Sequence, residues 1–83
     1  MPLFFFDIHD GVTYTRDSEG SDLPDEETAR REAQGVLPDI ARDKLPDGER
    51  RDFIVDLRNA DGRYIYTATL SLVARRLGQG AGS

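Results

Sequence analysis

The chain has 83 residues, 16 of them acidic and 11 basic, for a formal charge of −5 and a pI near 4.7. That balance argues against broad electrostatic binding to nucleic acid or to an anionic membrane, because both need clustered positive charge. The chain has no cysteine, which excludes disulfides and thiolate zinc sites, and its length supports one modest core with little room for a deep pocket.

Leu3 to Ile8 is apolar and aromatic-rich, as in a strand. The apolar run stops at Asp7 with no basic residue ahead of it. It is too short for a signal peptide or a membrane span, so a cytoplasmic location is expected. Asp10-Gly11 between two apolar stretches predicts a hairpin turn, with Gly11 supplying the positive φ of a primed turn. Val12 to Arg16 then reads as the return strand, and Asp17-Ser18-Glu19-Gly20 as a turn.

Leu23-Pro24-Asp25 announces a helix. Asp25 is a good N-cap, and Glu26 and Glu27 complement the positive end of the helix dipole. Ala29, Ala33, Val36, Leu37, Ile40 and Ala41 form one apolar stripe at helical spacing. Glu26–Arg30 and Glu27–Arg31 are spaced for i,i+4 pairing. Gly35 and Pro38 interrupt the pattern. A proline inside a helix removes one backbone bond and crowds the preceding turn, so a kink or break is expected near Leu37, with helix resuming to about Leu45. Pro46-Asp47-Gly48 closes the segment.

Asp52 to Arg58 alternates, with Phe53, Val55 and Leu57 on one side and Ile54, Asp56 and Arg58 on the other. Asn59-Ala60-Asp61-Gly62 is a second hairpin turn, and Arg63 to Leu70 the strand that follows it. These elements predict an α+β domain over residues 1–70, ordered ββαββ. Four antiparallel strands would carry one helix on one face. Residues 71–83 are expected to be an extension: a short helix around Leu72, Val73 and Leu77, then a mobile glycine-rich tail from Gly78 to Ser83.

On this plan Phe4, Phe6 and Ile8 meet Phe53, Val55, Leu57 and the helix stripe. The other face carries Phe5, Asp7, His9, Ile54, Asp56 and Arg58. One helix cannot cover both faces, so the chain is expected to be a protein-interaction module that self-associates, or binds another protein, through this second face or through an exposed strand edge. A solvated face with scattered apolar residues is the alternative.

Little in the chain suggests chemistry. His9 is the only histidine, with Asp7 and Asp10 nearby, and that trio is the single candidate for a hydrolytic or metal-binding centre. A histidine at a hairpin end needs no such role, and no nucleophile motif surrounds Ser18 or Ser21. The acidic stretch from Asp17 to Glu27 fails the calcium-loop spacing, because its glycine stands at the fourth position rather than the sixth. Arg30-Arg31, Arg50-Arg51 and Arg75-Arg76 read as solvated surface. The sequence therefore predicts a non-enzyme with no catalytic, metal or cofactor-binding residues and no nucleic-acid or membrane partner.

Taken together, Met1-Pro2, Phe4-Phe5-Phe6, Asp10-Gly11, Asp17-Ser18-Glu19-Gly20, Leu23-Pro24-Asp25, Ala29 with Ala33, and Asp61-Gly62-Arg63 resemble a small domain-of-unknown-function family found mostly in alphaproteobacteria. The resemblance covers roughly residues 1–70 and implies the same element order. Gly35 and Pro38 depart from it, since the helix of that family runs on without interruption. The family brings no activity, cofactor or site residue. A looser likeness to small sheet-and-helix antitoxins rests on element order and on Pro-Asp before an alanine-spaced helix. With the acidic charge, it makes a regulatory partner that masks a basic protein the second functional expectation.

Overall fold

The computed structural model of the chain describes residues 1–46 and 48–78. Its elements are β1 (Leu3–His9), β2 (Tyr14–Thr15), β3 (Ser21–Asp22), α1 (Glu26–Lys44), β4 (Arg50–Asn59) and β5 (Tyr64–Val73). All strand pairings are antiparallel. The sheet runs β2-β1-β4-β5, and β3 also pairs with β1. The α+β architecture with one helix on an antiparallel sheet is thus as expected, with five strands in place of four.

The extra strand arises because two short strands share the outer edge of β1. β3 pairs Asp22 and Ser21 with Leu3 and Phe4, while β2 pairs Thr15 and Tyr14 with Ile8 and His9. Two-residue strands are too short for an alternating pattern, which is why the sequence shows a longer return strand and then only a turn. Both hairpin turns form as expected. Asp10 Oδ1 accepts hydrogen bonds from the Val12 and Thr13 amides, and Gly11 takes a φ of 96°. Asn59 Oδ1 accepts from the Asp61 and Arg63 amides, with Gly62 at 86°.

The helix is capped as the sequence predicts, with Asp25 accepting from the Thr28 amide at 2.8 Å. Its first-turn ion pair differs from expectation, joining Glu27 to Arg30 at i,i+3. α1 also runs unbroken through Pro38. Pro38 lies on the exposed side, as does Gln34, whose carbonyl it leaves without a helical donor. Meanwhile Leu37 and Ala41 stay buried on the sheet side and hold the helix across that point. The buried positions Ala29, Ala33, Leu37 and Ala41 are four apart, and three of them are alanine, so the helix sits close on the sheet.

Beneath it lie Phe53, Val55 and Leu57, each fully buried, with Phe4 beside them. Phe6, Ile8, Tyr66 and Ala68 pack around this core. Register explains the arrangement: Phe6 stands opposite Leu57 and Ile8 opposite Val55, while Tyr66 and Ala68 flank the same two residues from the other side. The last strand extends past the expected boundary at Leu70, because Ser71, Leu72 and Val73 pair with Asp52, Arg51 and Arg50. No helix forms there: Leu72 and Val73 belong to β5, and residues 74–78 have no regular structure. Asp47 in the expected turn, and 79–83 in the expected tail, lie outside the described residues.

A Cβ added at Gly35 would meet nothing within 4 Å. Gly35→Ala should therefore stabilise the domain by about 0.5–1 kcal/mol, by restricting the unfolded chain at a helical position. Chemical denaturation checks this. A loss of stability would mean that the helix is not regular at Gly35.

Candidate functional site

Alternation along β1 and β4 places Phe5, Asp7, His9, Ile54, Asp56 and Arg58 on the sheet face away from α1, as the sequence indicated. The register sets Phe5 opposite Arg58, Asp7 opposite Asp56 and His9 opposite Ile54. Their surroundings differ from an open surface. Asp7 is fully buried and Arg58 is 5% exposed. They form a two-pronged ion pair, with Arg58 Nε donating to Asp7 Oδ2 at 2.7 Å and its second nitrogen donating to Oδ1 at 2.9 Å.

Three further groups complete this network. The Tyr64 hydroxyl donates to Asp7 Oδ2 at 2.9 Å, and the Asp17 amide donates to Asp7 Oδ1 at 2.9 Å. The Asp17 carbonyl accepts from Arg58 at 2.7 Å. The Asp17 carboxylate then performs a separate task. Oδ2 accepts from the Phe6 amide at 3.1 Å, in the gap between β3 and β2 where β1 has no strand beside it. Oδ1 accepts from the Glu19 and Gly20 amides and folds the turn back. The turn packs on Phe5, whose ring also lies 4.7 Å beneath the Arg58 guanidinium. Gly20 has a φ of 76°, and a Cβ there would stand 2.8 Å from the Phe5 ring, so the position requires glycine on both counts.

The electrostatics follow from these contacts. Arg58 hydrogen bonds hold the Asp7 carboxyl well below the usual carboxylate range. Burial opposes this, and Asp17 and Tyr64 reinforce it. Asp7 in turn raises the Arg58 guanidinium. Burial alone would raise the Asp17 carboxyl, but the amides of Gly20, Phe6 and Glu19 outweigh it and lower it. The Tyr14 hydroxyl is pushed up to about 12, first by hydrogen bonding with Tyr64, then by burial and by the Asp7 charge. Every ionised group here already has a partner of opposite charge or a donor, which suits a structural site.

The trio that was the single candidate for chemistry does not converge. Asp7 is enclosed by Arg58 and Tyr64. His9 is exposed, and its Nδ1 accepts from the Gly11 amide at 3.1 Å. Asp10 is held by the Thr13 and Val12 amides, which lower its pKa. Among the described residues no group of three or more histidines and carboxylates is placed to hold a metal ion. Asp56, another acid on this face, accepts from the Thr67 hydroxyl at 2.7 Å.

Sequence reasoning missed two participants in the network and one buried arginine outside it. Asp17 and Tyr64 read as turn and strand residues, and nothing in their local pattern marks them as partners of Asp7. Arg51 read as solvated surface but is 8% exposed. Its guanidinium lies over the Phe53 ring at 5.4 Å and its Nε donates to the Asp10 carbonyl. A shallow cleft of about 360 Å³ lies elsewhere, with Pro2, Leu3 and Phe4 on one side and Asp25, Glu26 and Asp61 among its other walls. Asp25 is already committed there as the helix cap.

Residues 3–71 match a family described as a domain of unknown function, DUF6894. The chain belongs to that family. The matched stretch of this DUF6894 domain contains Asp7, Asp17, Arg58 and Tyr64, so the whole network lies inside it. No curated protein and no solved structure matches the chain.

Two outcomes test the network. Asp7→Asn leaves Arg58 buried without its counter-charge and should cost about 3–5 kcal/mol. Because folding lowers the Asp7 pKa, its contribution is complete above the unfolded value of about 3.9 and disappears as pH falls through the folded value. Wild-type stability should therefore drop as pH falls below about 4, and Asp7→Asn should lose that part of the slope. Parallel pH profiles for the two proteins would contradict the assignment. Gly20→Ala should destabilise the domain by about 1–3 kcal/mol, as measured by thermal unfolding.

Proposed function

We propose that this protein is a non-enzymatic protein-interaction module that works by accepting a strand at the outer edge of β5. The supporting observation is the character of that edge. β5 is the last strand of the sheet, ten residues long, with no charge, proline or glycine between Tyr64 and Val73. Sheets normally blunt an exposed edge with charge, proline or a covering segment, and a long uncharged edge favours pairing with another strand. The opposite edge of the sheet is arranged differently, since β1 is covered there by β2, β3 and the Asp17 carboxylate.

The outer sheet face supports this role less well than its composition suggested. Phe5 is wedged against Gly20 and Arg58, and the two central charges are enclosed. On the helix side of β5, in contrast, Leu70 is 39% exposed and Leu72 and Ala68 are only half-buried. A strand added beside them would cover apolar surface as well as satisfy backbone groups.

The test is an amide-resolved titration of the isotope-labelled protein with a synthetic strand peptide of alternating valine and threonine, lysine at both ends. Strand addition predicts shifts and slowed hydrogen exchange centred on Thr67, Thr69 and Ser71. Binding centred on the outer sheet face or on the cleft by Phe4 would overturn this reading, as would no binding to protein that is monomeric at the titrated concentration.

A further inference from the structure

The strand that fits the β5 edge best is β5 itself. Resting on the strand-addition reading, we infer that the protein forms a symmetric dimer in which two copies of β5 pair antiparallel about a two-fold axis at Thr69.

The backbone limits which residues can pair, and the side chains choose Thr69 among the registers it allows. The Ala74 amide donates to the Glu49 carbonyl across the β4–β5 ladder. In an antiparallel pair, residues alternate between bonding to one neighbour and facing the other. The pairing of β4 with β5 is regular from Arg50–Val73 to Leu57–Tyr66. Leu72, Leu70 and Ala68 therefore bond inward to β4, and Val73, Ser71, Thr69 and Thr67 turn their N–H and C=O groups to the outer edge. A second β5 can complete that edge only by bringing its own outward-turned residues to it. With Thr69 on the axis, Thr69 bonds to its own copy and Thr67 bonds to Ser71 of the other chain.

Side chains agree with this arrangement. Residues directly opposite in an antiparallel pair share a face, so both helices lie on the same side of one continuous sheet. On that side Ala68 meets Leu70 of the second copy and Tyr66 meets Leu72, so the smallest side chain of the row faces a large one. On the other side hydroxyls meet hydroxyls. No charge lies on the strand, so the chain, at −5 overall, brings no like charges into contact along it. A two-fold interface requires a patch complementary to itself, and this strand satisfies that condition.

Sedimentation equilibrium on the full chain at tens of micromolar provides the test, with two variants. Wild type should be a dimer. Thr69→Pro removes a backbone donor from the outer edge alone and should give a folded monomer, judged by circular dichroism. Thr69→Cys should form a disulfide-linked dimer on oxidation, because a hydrogen-bonded pair sets Cα atoms about 5.5 Å apart, within disulfide reach. Thr15→Cys, on β2 at the opposite edge, should not. The cysteine arm decides the matter if the proline variant fails to fold. A monomeric wild type that still binds the strand peptide at β5 would overturn the dimer and leave the strand-addition reading standing. A monomer that binds no strand would remove both. A dimer that persists in folded Thr69→Pro, or that crosslinks through Thr15→Cys and not Thr69→Cys, would place the interface elsewhere.

Discussion

The buried pair of Asp7 and Arg58 is the constraint around which the outer half of this domain is organised. A carboxylate with no exposure and a guanidinium beside it must have all their hydrogen-bonding positions satisfied, or the cost of removing them from water exceeds their attraction. Satisfying them recruits three separate stretches of chain. β4 supplies Arg58, β5 supplies Tyr64, and the turn after β2 supplies the amide and carbonyl of Asp17. The turn is thereby fixed over the sheet, and its own carboxylate takes the place of a missing strand beside Phe6. Such a pair contributes more to geometric definition than to net stability, since apolar residues of similar volume often hold a core as well.

That organisation leaves the domain asymmetric. On the helix side, closely spaced alanines bring α1 against Phe53, Val55 and Leu57 and build an apolar core. On the outer side, the region around Phe5 and Asp7 is closed by the turn, and the β1 edge is covered with it. What stays open is the β5 edge with its half-covered apolar row. The strand-binding surface we propose is therefore what the polar network leaves exposed, the backbone along the outer edge of β5.

Much of this was legible in the sequence because it is local. Asp25 as the helix cap, Gly11 and Gly62 in the hairpin turns, and the alternation from Phe53 to Arg58 all depend on a few neighbouring residues, and all appear as read. The two faces of the sheet were correctly divided for the same reason. What escaped was set by register and by long-range contact. Alternation puts Asp7 and Arg58 on one face, but only the pairing of Phe5 with Arg58 brings the guanidinium diagonally across to Asp7. Asp17 looks like any turn aspartate until the gap between two short strands shows why its carboxylate is needed. At Pro38, where a kink or break was expected, no break forms, because its exposed side faces water and its buried side is held by Leu37 and Ala41.

The central claim is that Asp7 and Arg58 act as one unit that fixes the outer side of the sheet. A double-mutant cycle on Asp7→Asn and Arg58→Met measures this most directly. The account predicts that the double variant is far less destabilised than the sum of the two single ones, with a coupling free energy of about 2–3 kcal/mol. Additivity within about 0.5 kcal/mol would contradict it, because the two residues would then contribute independently.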